Sequence, residues 1–141
     1  MLNIDTNVFR AIGTLAARQA RAAAPSAQAN EVIDMTPLLK AWQPGPHDAG
    51  SVVVYEGLPY KVVQTNDSTG NPGWNPTDAP SLFALRHGTD AAHALPFKAE
   101  GHNPYMAGEY ASFSGKIYMC RLDGTVHDPG VLPGSWEVVT E

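Results

Sequence analysis

The sequence predicts a mainly β protein, with an N-terminal α-helical arm followed by two small three-stranded β domains. Three observations carry this. Only the stretch before Pro25 is long, alanine-rich and free of proline. The remainder is cut into short pieces by most of the 13 Gly and 12 Pro, which excludes a coiled coil or helical bundle for most of the 141 residues. The β part also repeats itself. The boundaries follow as arm and linker at 1–30, a first β module at 31–86, a linker at 87–97 and a second β module at 98–141.

The arm comes first. Thr6 to Ala24 (TNVFRAIGTLAARQARAAA) has high helix propensity, and Asp5 or Thr6 is suited to cap it by accepting a free first-turn amide. Val8, Ile12 and Leu15 recur at helical spacing, with Ile4 and Phe9 extending the stripe, opposite Arg10, Arg18 and Arg21. Such a narrow stripe suits close packing against another surface better than a self-sufficient core. We therefore expect Ile4, Val8, Phe9, Ile12 and Leu15 to anchor the chain to a partner or to sister helices. PSAQAN (25–30) ends the helix and reads as a linker. EVIDMTPLLKAWQ (31–43) is compatible with a brief strand or a turn of helix, Pro37 interrupting either.

Beyond Trp42 the pattern alternates with a period of two. SVVVYE (51–56) and LPYKVVQ (58–64) flank Gly57, and EYASFS (109–114) and KIYMCR (116–121) flank Gly115. Each pair reads as a hairpin whose glycine permits the positive φ of a tight turn. The segment HGTDAAHALPFKAE (87–100) reads as a connection with a helical turn near Asp90 to Ala94.

The two hairpins are similar to each other. His47, Gly50, Tyr55, Gly57 and Tyr60 align with Tyr105, Gly108, Phe113, Gly115 and Tyr118 at an offset of 58. Trp74, Pro76, Pro80 and Phe83 align with His127, Pro129, Pro133 and Trp136 at an offset of 53. The five-residue change falls in TNDSTGNPG, between Tyr60 and Trp74. An internal duplication is the expectation. A unit of about 40 residues has little core, so Trp42, Tyr55, Tyr60, Phe83, Phe113, Tyr118 and Trp136 are expected to supply it.

These repeated residues carry a resemblance. VVVYEGLPYKVVQ followed by GWNPTDAPSLF, and YMAGEYASFSGKIYMC followed by HDPGVLPGSW, resemble the small chitin-binding carbohydrate-binding modules of families 5 and 12, over residues 42–86 and 98–139. The resemblance implies two chitin-binding-module-like β domains in tandem and a capacity to stack aromatic rings on sugars. Each copy has a surplus ring for this, Trp74 in the first and Tyr105 or Tyr110 in the second. Similar modules occur on secreted hydrolases and on virion proteins of tailed phages. The arm and the lack of a catalytic domain point to the second setting. The expected role is a bacteriophage virion accessory protein, a capsid decoration on the virion surface made in the host cytoplasm. Its expected partners are the major capsid or another virion protein through the arm, itself as dimer or trimer, and host glycans. A tail or baseplate part, an assembly factor, and a chitin-binding module of a secreted bacterial system are the alternatives.

Charge sharpens the partner classes. Residues 1–24 carry a balance of +2, while residues 25–141 hold six basic against thirteen acidic side chains, a balance of −7. An acidic body disfavours nucleic acid, whereas the arm is suited to an acidic partner. There is no apolar run of membrane-spanning length and no charged start before an apolar core of secretory type. Lone Cys120 cannot close an internal disulfide and suits a buried strand position. No nucleophile–base–orienter set, paired carboxylates or phosphate loop stands out, and the five histidines match no zinc spacing. No enzyme activity, cofactor or metal is expected.

Overall fold

The computed structural model describes residues 6–140, with side chains from residue 10 to 139. Helix α1 runs Thr6–Ala23, followed by a 3-10 turn at Ala24–Ser26 that Pro25 initiates. Ile4 and Asp5 lie outside the described residues, as do the side chains of Val8 and Phe9. The undecided segment is resolved as helix, α2 at Ala29–Met35, which Pro37 converts to a 3-10 turn at Thr36–Leu38. The expected linker is thus shorter than 25–30. Ala20 and Ala24 pack with Val32 of α2, Leu39 and Val52 in a small core. The alanines let the end of α1 lie close to the 3-10 turn at Thr36–Leu38, as their lack of bulk allows.

The first β unit has strands β1 (Pro46–His47), β2 (Val52–Tyr55), β3 (Leu58–Val62), β4 (Asn66–Asp67) and β5 (Phe83–Leu85). Strands β2, β3 and β5 form an antiparallel sheet in that order, while β1 and β4 pair separately. Val53, Tyr60, Val62, Phe83 and Leu85 form the core, with Trp42 and Tyr55 against it. The aromatics Trp42 and Tyr55 meet edge to face at 5.7 Å.

The second unit has β6 (Leu95–Pro96), β7 (Tyr110–Phe113), β8 (Lys116–Cys120) and β9 (Trp136–Thr140). Its sheet has four strands in chain order, not the expected three, because β6 adds to β7 in parallel, Leu95 opposite Ala111. The segment 87–97, expected as a linker, therefore supplies an edge strand. Tyr105, Ala111, Cys120 and Trp136 are its buried core.

The two units share a hydrogen-bond pattern. Gly50 N–H donates to Val62 O at 2.8 Å and Gly108 N–H to Cys120 O at 2.9 Å. Val63 N–H to Leu82 O at 2.9 Å is matched by Arg121 N–H to Ser135 O at 2.8 Å. Ala79 N–H to Asn75 O at 2.8 Å is matched by Leu132 N–H to Asp128 O at 2.9 Å. The hairpin turns have φ of 51° and 79° at Glu56 and Gly57, against 50° and 79° at Ser114 and Gly115. Two consecutive positive φ values are what a two-residue turn of this hand needs, and glycine takes the second without strain.

The units do not hang on a free tether. Buried Glu100 accepts Leu85 N–H at 3.0 Å, Asn103 Nδ2 donates to Leu85 O at 2.8 Å, and a nitrogen of His102 meets Phe83 O at 2.6 Å. These three side chains of the second unit complete the free edge of β5. Lys98 Nζ donates to Tyr60 Oη at 3.2 Å and Pro76 O at 2.9 Å while lying over the Tyr60 ring at 4.5 Å. Leu95 packs on the first core.

Candidate carbohydrate-contacting site

The loop after β4 builds the most open aromatic position. Ser68 is fully buried and anchors the loop, its hydroxyl accepting Gly45 N–H at 3.0 Å. Asp67 Oδ1 accepts both the amide and the hydroxyl of Thr69, at 2.9 and 2.6 Å, which holds the Asp67 carboxyl below the usual carboxylate range. Trp74 N–H then donates to Asn71 O at 3.0 Å. Immediately after it, buried Asn75 donates to Pro72 O and Asp78 Oδ2 at 2.9 and 3.0 Å, and accepts the amides of Thr77 and Asp78, each at 2.9 Å. A residue flanked by two such anchors has little freedom to fold inward.

Trp74 is accordingly 43% exposed. Its ring lines an open groove of about 370 Å³ with Gln64, Asn66, Ser81 and Leu82, a size within the range of small-ligand sites. Asn66 donates to Gln64 O at 2.9 Å, while its Oδ1 is buried and accepts no hydrogen bond among the described residues. A flat apolar ring beside amides and a hydroxyl is the combination that takes a sugar: C–H faces stack on the indole while ring hydroxyls bond to the polar rim. Gln64, Asn66 and Ser81 were not foreseen from sequence. Only Asn66 had a signal, its place in the longer loop TNDSTGNPG; Gln64 and Ser81, on either side of that loop, had none.

The other ring positions fall elsewhere. Tyr105, expected as an exposed ring of the second unit, is 2% exposed and is a core residue in this structure. It stacks on His87 at 3.7 Å and on Phe97 at 5.2 Å, meets Trp136 at 5.2 Å, and its hydroxyl accepts Lys98 N–H at 3.2 Å. Its counterpart His47 is buried too and stacks on Trp42 at 6.0 Å. In both units this position meets the aromatic that opens the last strand, His47 against Phe83 at 6.4 Å and Tyr105 against Trp136 at 5.2 Å. Tyr110 is half-buried at the start of β7, its amide donating to Gly88 O at 2.9 Å. Tyr110 is not part of the lining of the Trp74 groove.

Residues 41–84 match the model of carbohydrate-binding module family 5/12. The matched span covers β2, β3, the start of β5, the pinned loop and Trp74, which supports a carbohydrate-binding module in the first unit. No curated protein matches the chain.

The remaining candidates divide between an uncovered helix face and histidines held by carboxylates. Ile12 and Leu15 are 54% and 52% exposed, leaving the outer part of the α1 stripe uncovered. His93 lies between Asp90 at 2.6 Å and Asp34 at 2.8 Å, and these carboxylates hold its imidazole pKa above the ordinary value. His87 meets Glu109 instead, at 3.1 Å. Among the described residues no group of three or more His, Cys, Asp or Glu gathers as a metal cage, and no helix is long and apolar enough to cross a membrane.

Proposed function

We propose that the chain is a non-catalytic, glycan-contacting accessory of a larger assembly, in which the Trp74 groove faces outward and α1 provides attachment. The observation that carries the reading is the Trp74 ring, held open on a loop anchored at both sides within a segment that matches a carbohydrate-binding module family. Preorganisation matters because a weak stacking contact cannot also meet the cost of ordering a loop. The exposed Ile12 and Leu15 favour attachment through the arm, and many copies on one body turn weak sugar contacts into avidity.

The second unit repeats the hydrogen bonds of the first, which supports a tandem of like modules. The setting we propose is a phage virion, as a decoration protein of the head; a tail or baseplate part would use the same surfaces. Detection of the chain by mass spectrometry in purified particles tests the setting.

Retention on insoluble chitin and cellulose tests the glycan contact. The intact chain is expected to be retained, and Trp74→Ala to weaken retention tenfold or more, about 1.4 kcal/mol, with an unchanged far-UV spectrum. Equal retention of both proteins would remove the Trp74 groove from the reading.

A further inference from the structure

The two units differ most where the first has its groove. At the offsets that relate them, Gln64, Trp74 and Ala79 correspond to Leu122, His127 and Leu132. The backbone there is the same: Val63 and Arg121 donate to equivalent carbonyls, and Ala79 and Leu132 close equivalent turns. The second unit thus carries leucines where the first has an amide and a small residue around its aromatic platform. Leu122 is 57%, Val131 63% and Leu132 41% exposed. Leu122 and Leu132 take the positions whose counterparts Gln64 and Ala79 line one groove in the first unit, and exposed aliphatic side chains there favour a protein contact over a hydrated sugar.

The rim of this face is acidic. Asp123 accepts Ala107 N–H at 2.9 Å and Asp128 accepts Val131 N–H at 2.9 Å, which fixes both carboxylates beside the leucines. Glu137 is exposed on β9. Over residues 121–137 one arginine, Arg121, stands against the three carboxylates Asp123, Asp128 and Glu137. Two such faces from different copies would repel each other.

Helix α1 offers the complement. Thr6–Ala23 contains no acidic residue; Arg10 and Arg18 line a shallow groove with Ala11, Thr14 and Leu15, which brings Leu15 to the side of these arginines rather than opposite them, while exposed Ile12 lies outside the groove, beyond Leu15. We propose that α1 of one copy seats on the Leu122–Val131–Leu132 face of the next, with Arg10 and Arg18 toward Asp123 and Asp128. This rests on the reading of α1 as an attachment element and names its partner as a second copy of this chain. The contact is head-to-tail, joining two different surfaces, so it closes into a ring or continues as a row. Its acidic–basic pairing makes it weaken with salt.

The arrangement makes a prediction that symmetric contacts do not. Take Ile12→Asp/Leu15→Asp as the arm variant and Leu122→Lys/Leu132→Lys as the face variant, all at exposed positions, with folding checked by circular dichroism. Analytical ultracentrifugation of the intact chain at low salt is expected to show oligomers, and each variant alone a monomer. Mixed one to one, the variants are expected to form a dimer and nothing larger, since one still offers a face and the other an arm. A monomeric intact chain, a face variant that still self-associates, or a mixture that stays monomeric would each overturn the proposal. Chitin retention through Trp74 is measured separately on the same proteins, so loss of the glycan reading and loss of this contact are told apart.

Discussion

Tyr105 and Trp74 began as equivalent possibilities and ended in opposite environments. Trp74 was readable because its neighbours Asn71, Pro72, Gly73, Asn75 and Pro76 are all turn formers, which keep a ring near solvent. Tyr105 was not, because the rings that cover it, His87, Phe97 and Trp136, come from distant parts of the chain. Its alignment with His47 did signal a shared slot, but not that the slot is buried. Tyr105→Ala is expected to cost about 3–5 kcal/mol by emptying that slot, and Tyr105→Phe only about 1 kcal/mol for the lost bond to Lys98 N–H. Urea denaturation measures both. The phenols add a pH dependence. Burial, reinforced by the Glu100 and Glu56 carboxylates, pushes Tyr60 from 10.0 up to about 12, and burial also raises Tyr105. A group whose folded pKa exceeds its unfolded value stabilises the fold fully below the unfolded pKa. Stability should therefore hold to about pH 10 and be lost as pH rises toward 12. An alkaline melt followed at the tyrosinate absorbance checks this, ionisation of Tyr60 at pH 10 being the contrary result.

At the level of elements, the hairpins were legible because alternation and a glycine act locally. Gly57 and Gly115 both sit at φ 79°, so Gly57→Ala or Gly115→Ala should cost about 1–2 kcal/mol, read as a lowered thermal midpoint. Helix α2 was illegible since seven residues, about two turns, are too few to tell a helical period from a strand's, and Pro37 follows in the 3-10 turn after it. Strand β6 was illegible because two residues have no period at all, and its parallel pairing depends on β7, which lies further along the chain. The turn before β6 has a feature no pattern shows: a Cβ on Gly88 would lie 2.0 Å from His93 O, a backbone atom that cannot step aside. Gly88→Ala should therefore disrupt this turn and lower the thermal midpoint more than either hairpin substitution. His93 ties the same turn to α2 through Asp34. Its raised pKa means this link is fully present below about pH 6.5 and is lost as pH climbs past the elevated value. Amide exchange in α2, corrected for intrinsic rates, should then quicken at higher pH.

At the level of the molecule, the likeness of the two hairpins was visible in two constant offsets and is matched by their shared hydrogen bonds, whereas the way the two units join was not visible. Glu100 is the centre of that join: it is 3% exposed, accepts Leu85 N–H and Asn103 Nδ2 through Oε1, and has Lys98 Nζ 3.9 Å from Oε2. A single glutamate in an acidic chain carries no pattern that would single it out. Glu100→Ala strips a buried backbone donor of its acceptor and should cost about 1–3 kcal/mol. The intact protein should unfold in urea as one transition, and a two-step curve would show the units to be independent.

Strand β6 has a consequence for how such a protein can be cut and recombined. The residues that leave the first sheet are the ones that finish the second, so a cleavage or crossover placed between 87 and 97 would hand one neighbour a frayed border and the other a surplus strip. Exchange of single copies between genes would be selected against at that junction. The pair is expected to travel, and to present its two outer faces at one fixed spacing, as an inseparable block.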